Sequence, residues 1–283
     1  MKNFLLLIIF VPVMSISATS ISAELIMSGG RTWNVEIIKR IKTVQKDTLQ
    51  LSINGRVAGI PISTVQKINY NINVDISELM NLKEQREYTL IIDKLNKSLK
   101  SYEPYMDIPS NLTPYQSLLM EMYFLVEDYN KTIDLAQKIQ SQSTDQSLIS
   151  SSEIFLVRSL IKSDLADEAE SLLRNNGWFE NINENSKPEE LFILAELMKL
   201  KSNYNRAIEL VSYIIAFNGQ DPEWTQPAEL LCAELYTELE MYDSAEEVIN
   251  QILLLYPDSL ESEKAEQLSL RLQVLSGKAK SIF

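Results

Sequence analysis

The segment Tyr204-Asn205-Arg206-Ala207-Ile208-Glu209-Leu210-Val211 returns 38 residues later as Tyr242-Asp243-Ser244-Ala245-Glu246-Glu247-Val248-Ile249. Stepping back by 38, 37 and 41 residues reaches blocks that begin at Ala166, Tyr129 and Tyr88. Each block opens an apolar-periodic helix. Each follows another such helix, near 76–86, 114–126, 148–163, 188–201 and 226–240. This recurrence constrains the fold more than any other feature. A helix pair cannot bury its apolar stripe alone, so successive pairs must stack and share one core. The fourth residue of each block is a contact point: Ala245, Ala207 and Ala169 are small, and Thr132 and Ile91 replace them in the two earliest copies.

The unit from Gln226 to Pro257 resembles the tetratricopeptide repeat (TPR). Ala233 stands at the small position of its first helix and Tyr236 three further on. Tyr242 marks the turn, Ala245, Ile249 and Ile252 line the second helix, and Pro257 closes the unit. The preceding unit supplies Ala195, Tyr204, Ala207, Val211 and Ile214, with its proline late at Pro222. No copy has the family's first-helix tryptophan, and Trp224 falls before its helix. Over residues 76–257 the resemblance implies a mainly α, TPR-like α-solenoid of about five helix pairs. Repeats of 37–41 residues place extra chain in loops, one of them Asn175–Lys187 with Trp178 and Phe179. Ser259–Ser276 reads as a capping helix with Glu263, Glu266 and Arg271 on a polar side, because a terminal repeat needs a soluble outer face. The stretch leading into this helix also looks like the ends of exported TPR proteins of the outer-membrane-assembly and cell-division-coordinator kind.

Residues 24–75 follow a different period. Trp33, Val35 and Ile37 alternate with polar residues, as do Leu49, Leu51 and Ile53, which marks half-buried strands. Ser28-Gly29-Gly30-Arg31 and Asn54-Gly55-Arg56 supply hairpin turns. Strands are expected near 24–28, 32–43, 47–53, 57–62 and 67–71, with a short turn over 63–66. Five short strands suggest a small closed or half-open barrel. The module resembles the SH3- or Sm-like barrels that precede helical repeats in some exported bacterial proteins.

Ahead of it, MKNFLLLIIFVPVMSISATSISA reads as a secretory signal peptide. Cleavage falls after Ala23, or after Ser20 with Ala18 three positions inside. The domain plan is therefore a signal peptide over 1–23, a small β module over 24–75 and the repeat array over 76–283. Export places the mature chain in a periplasm or outside the cell, with a bacterial envelope the expected setting. The apolar run is too short for a membrane span.

The 283 residues include no histidine and one cysteine, Cys232. Histidine-dependent catalysis and cysteine zinc sites are excluded, and neither glycine-rich phosphate-binding motif is present. Cys232 is expected buried within a helix. The carboxylate pairs Asp167/Glu168, Glu189/Glu190 and Glu246/Glu247 point about 100° apart on their helices and do not converge. The chain thus reads as a non-enzyme without cofactor or metal. The TPR resemblance implies a groove along the first helices that holds a protein or peptide partner. Carried over by position, it nominates Ser117, Glu121 and Phe124; Ile154, Arg158 and Ile161; Phe192, Glu196 and Lys199; and Leu230, Glu234 and Thr237.

Charge divides along the chain, +3 over residues 24–75 and −17 over 76–283. An acidic array suits a basic or amphipathic partner, and the overall charge argues against nucleic acid. The expected role is an exported, non-catalytic scaffold in the cell envelope. In the alternative, Lys39, Arg40, Lys42 and Lys46 form a basic face for envelope polymer or anionic lipid, and the repeats serve as a spacer.

Overall fold

The computed structural model describes residues 20–180 and 182–277. Most of the expected signal peptide, residues 1–19, lies outside them. Ile21–Met27 forms β1, followed by β2 (Thr32–Lys42), β3 (Asp47–Ile53), β4 (Arg56–Pro61) and β5 (Val65–Tyr70). A 3-10 turn over Ile62–Thr64 links the last two strands. All pairings are antiparallel and the order is β4-β3-β2-β1-β5, so the last strand lies beside the first. At the β3–β4 hairpin Asn54 and Gly55 both have positive φ (50° and 77°), the twist that a tight two-residue turn requires.

β4 and β5 are the two edges, so the sheet is half-open. Residues 109–111 cover the β5 edge. Ile68 N–H donates to Pro109 O (2.8 Å) and Asn111 N–H to Ile68 O (3.3 Å). The Asn111 side chain accepts from Tyr70 N–H and donates to Tyr70 O, both at 2.9 Å, doing the work of a further strand residue. An edge paired in this way no longer invites another chain.

Two boundaries differ from the sequence expectation. β1 begins at Ile21, and Ala23 is a buried sheet residue paired with both Val35 and Tyr70. The sheet also has no core of its own. Leu25, Ile37, Leu49 and Leu51 share one apolar cluster with Leu79, Ile91, Leu95 and Leu112 from the helical part. About fifty residues bury too little surface to stand alone, so the sheet uses the first helices as its other layer. The compact units are accordingly Met1–Ser159 and Leu160–Phe283, not a division near residue 75.

Eleven α-helices follow the sheet among the described residues. They are α1 (Ile76–Glu84), α2 (Tyr88–Leu99), α3 (Thr113–Leu125), α4 (Tyr129–Gln142), α5 (Gln146–Lys162), α6 (Ala166–Asn175), α7 (Pro188–Leu200), α8 (Tyr204–Phe217), α9 (Pro222–Glu238), α10 (Tyr242–Leu255) and α11 (Leu260–Leu275). α1 packs on α2, α3 on α4, α7 on α8 and α9 on α10, as expected of helix pairs, and α11 closes the second unit against α9 and α10. The first unit holds the sheet, α1 to α4 and most of α5; the second holds the end of α5 and α6 to α11. In the second unit α7 packs on both α8 and α9, and α9 on both α10 and α11. Residues 191–197 of α7 are consequently buried on every side. α9 starts earlier than expected and takes Trp224 into its first turn. Asp221 caps it, accepting from Glu223 N–H (3.1 Å), and Pro222 occupies the first turn, where its missing N–H costs nothing.

The five equivalent contact residues of the second helices, Ile91, Thr132, Ala169, Ala207 and Ala245, are all fully buried. The turns inside the pairs repeat as faithfully. Arg86, Glu127, Asp164, Ser202 and Glu240 all have φ between 58° and 60°. In each turn the next residue donates back to the fifth residue before it: Glu87 to Leu82, Asp128 to Tyr123, Leu165 to Leu160, Asn203 to Met198 and Met241 to Tyr236. This is the Schellman closure, and the donating residue is also the N-cap of the second helix. No glycine occupies any of the five left-handed positions.

Candidate interaction surface on the first helices

The twelve nominated residues sit on α3, α5, α7 and α9, the first helices of successive pairs. Ser117, Glu121, Phe124, Ile154, Arg158, Lys199 and Glu234 are half-buried. Ile161, Phe192, Glu196, Leu230 and Thr237 are buried. Phe192 packs on Trp224 with ring centroids 5.7 Å apart, and Leu230 belongs to the core formed with α10 and α11. The Thr237 hydroxyl donates to Ala233 O (2.9 Å) within its own helix. These last three hold the scaffold together and present nothing to a partner.

The charged and aromatic members form rungs between successive first helices. Lys83 on α1 pairs with Glu121 on α3 (2.7 Å), and Arg158 on α5 lies over the Phe124 ring (4.7 Å). In the second unit Lys162 pairs with Glu196 (2.7 Å), Lys199 with Glu234, and Glu238 with Arg271 on α11 (3.3 Å). Each rung joins the end of one first helix to the middle of the next, at positions related by the repeat period. The sequence nominated Glu121, Phe124, Arg158, Glu196, Lys199 and Glu234 but not Lys83, Lys162, Glu238 or Arg271, because the partners lie 33–38 residues apart and only the stacking brings them together.

In the second unit the rungs border a cleft of about 350 Å³. Ile161, Glu196, Lys199 and Glu234 line it together with Asp164, Tyr204, Leu231 and Glu238. Four nominated residues thus reach one concavity on the first-helix side. Its lining carries more carboxylates than ammonium groups, and the unit as a whole is strongly acidic. Residues 160–283 hold 23 acidic against 10 basic side chains, which is the whole net charge of −13. Residues 1–159 hold 16 of each and are neutral overall.

The other candidate face, on the β module, is altered more. Arg40 on β2 is 6% exposed at its side chain and is clamped by two carboxylates. Its Nε donates to Asp47 (2.8 Å) and its Nη1 to Pro104 O (2.8 Å), while Nη1 and Nη2 both reach Asp107. Bonds from Arg40 hold the Asp47 carboxyl below the usual carboxylate range. Burial pushes Asp107 up, but bonds from Arg40 and Lys42 outweigh it and leave its pKa low as well. Lys42 lies 3.2 Å from Asp107. Among the four basic residues expected to meet an anionic polymer, Arg40 is neutralised inside the protein, and Lys42, still exposed, is paired with the same carboxylate. Lys39 and Lys46 make no ion pair among the described residues.

Asp167/Glu168 and Glu189/Glu190 occupy the first turns of α6 and α7, where the helix dipole favours negative charge. Cys232 is buried in α9, and burial raises its thiol pKa. No group of three or more metal-ligating side chains occurs among the described residues, and no described helix is long and apolar enough to cross a membrane.

No protein-family model and no curated protein matches the sequence. Among solved structures the chain is similar to Bacillus thuringiensis PlcR in complex with the peptide PapR7 and DNA. The TM-score is 0.49 at 16% identity, covering 68% of this chain and 71% of that one. It is also similar to MamA, residues 41 to the end, from Desulfovibrio magneticus RS-1, with a TM-score of 0.40 at 10% identity. That likeness covers 62% of this chain and 97% of MamA. Neither likeness bears on the residues that line the cleft.

Proposed function

We propose that the chain is an exported, non-catalytic scaffold that binds a protein segment on the first-helix face of its second unit. The observation that carries this reading is the cleft between α5, α7 and α9, where four nominated residues meet in the acidic half of the chain. Rungs already join the helices there, so a partner meets a surface whose side chains are fixed in advance, which lowers the entropic cost of binding. The excess of carboxylates favours a partner segment carrying lysine or arginine. Export rests on the leader in residues 1–23, and the bacterial envelope is the compartment proposed with it.

The test is photo-crosslinking in the native cell. Benzoylphenylalanine in place of Tyr204, which lines the cleft, should capture a specific envelope protein. The same group in place of the exposed Asn250 on α10 should not. Equal capture from both positions, or none from Tyr204, would overturn the proposal.

A further inference from the structure

A shift of 37 residues carries α9 onto α11. Thr225, Ala228, Leu231 and Leu235 become Ser262, Ala265, Leu268 and Leu272, and all eight are buried. The closing turn repeats as well. Gly277 has φ 68° where Glu240 has 59°. Its N–H donates to Val274 O (3.3 Å) as that of Glu240 donates to Thr237 O (3.1 Å). By position and by its turn, α11 is therefore the first helix of a sixth pair.

The other face breaks the correspondence. Glu229, Leu230, Ala233 and Thr237 of α9 are buried, and Leu230 and Ala233 pack in the core formed with α10 and α11. Their counterparts Glu266, Gln267, Leu270 and Val274 are exposed, Leu270 by 65% and Val274 by 70%. No second helix covers them among the described residues. The polar side expected of a capping helix thus carries an apolar stripe, at the positions through which α9 meets its neighbours.

This stripe is complementary to itself when reversed. Residues 260–267 carry Glu261, Glu263, Lys264 and Glu266, a net charge of −2. The sequence from 268 onward carries Arg271, which pairs with Glu238, and then Lys278 and Lys280. Two such helices side by side in parallel set like charges together, whereas antiparallel they set acid toward base. A two-fold axis between residues 270 and 274 stacks Leu270 of each copy on the partner's Val274. It also sets Gln267 beside the partner's Gly277, where no side chain stands in the way. Closed two-fold pairing of this kind uses one patch twice.

We propose that α11 pairs antiparallel with α11 of a second copy of this chain, which supplies the cover that α10 gives α9. One helix pair is a small interface, so the dimer is weak. It lies apart from the cleft between α5, α7 and α9, and neither proposal depends on the other.

Sedimentation equilibrium of the chain purified from the native cell should show monomer at about 1 µM and mostly dimer by about 300 µM. Leu270→Arg should weaken association at least about tenfold. Leu254→Arg, at an exposed position of α10 outside the stripe, should change it less than about twofold. Glu266→Lys and Lys278→Glu should each weaken it about fivefold. The double variant should return to within about twofold of wild type, because each swapped acid then meets a swapped base. That recovery also shows that the charge variants fold. The proposal is overturned if the chain stays monomeric at about 300 µM, including a monomer that captures a different protein through benzoylphenylalanine at Val274. It is equally overturned if Leu254→Arg matches Leu270→Arg, or if the double variant associates no more tightly than the single ones.

Discussion

Arg40 on β2 and Asp107, in the segment before α3, form a two-point ion pair across 67 residues of chain. The guanidinium is bound at the same time to Asp47, so one cation holds a hairpin to the helical layer. Arg40→Met should destabilise the first unit by about 2–4 kcal/mol, since it strands two partly buried carboxylates. The sign of the pH effect follows from Asp47 and Asp107, whose folded-state pKa values are depressed. Their stabilisation is present above the unfolded value of about 4 and is lost as pH falls through the lower folded values. Urea midpoints between pH 7 and pH 2.5 should drop steeply in the wild type and more gently in the variant.

The rung between Lys199 and Glu234 is half-exposed on both sides. A double-mutant cycle with alanine at each position should give a coupling of about 0.3–1 kcal/mol. That coupling should shrink in 1 M salt, where the screening length is about 3 Å. A coupling unchanged by salt would mean that the side chains act through packing of their stems.

Glu229 on α9 is buried, and one of its carboxylate oxygens has no hydrogen-bond partner among the described residues. Burial raises its pKa, partly countered by the Tyr256 hydroxyl, whose own pKa is pushed up to about 12 by burial and then by Glu229. A raised carboxylate pKa favours the fold below the unfolded value and withdraws that support as pH rises through the folded one. Glu229→Gln should therefore raise Tm at pH 7.5, and the gain should fade by pH 4.

Glu240 holds a left-handed conformation that disfavours side chains by about 1–2 kcal/mol. Glu240→Gly removes that strain but frees the unfolded chain, for a net gain of about 0.5–1 kcal/mol. Thermal melts of this variant and of Glu127→Gly should both move upward. A downward shift in both would show that the side chains contribute contacts worth more than the backbone strain.

Ile21, Ser22 and Ala23 pair with Ile37, Glu36 and Val35. Cleavage after Ala23 would delete nearly half of β1, whereas cleavage after Ser20 leaves the strand whole. On the proposed export, N-terminal sequencing of the protein from the native cell should accordingly begin at Ile21. A start at Glu24 would require β1 to form from its last four residues.

The periodic features of the fold were legible in the sequence because each residue reports its own burial. Val35 and Ile37 on one strand, and Ala207 and Ala245 on their helices, occupy the predicted faces. Features that join distant residues were not legible. Arg40 and Lys42 looked like one solvent-facing basic stripe, because nothing local to β2 signals Asp107. Glu196 and Lys199 share a helix, yet they bind Lys162 and Glu234 on the neighbouring first helices.

The left-handed turns carry a consequence for how such a chain can change. Their closure uses main-chain donors and acceptors, so arginine, glutamate, aspartate and serine serve as well in form, if not in energy, as glycine would. A joint written in the backbone can be duplicated and then drift at every side chain without altering the angle between its helices. Architecture of this kind outlasts the letters that first encoded it, and repeats as diverged as those at Ile91 and Ala245 still close their turns in the same way.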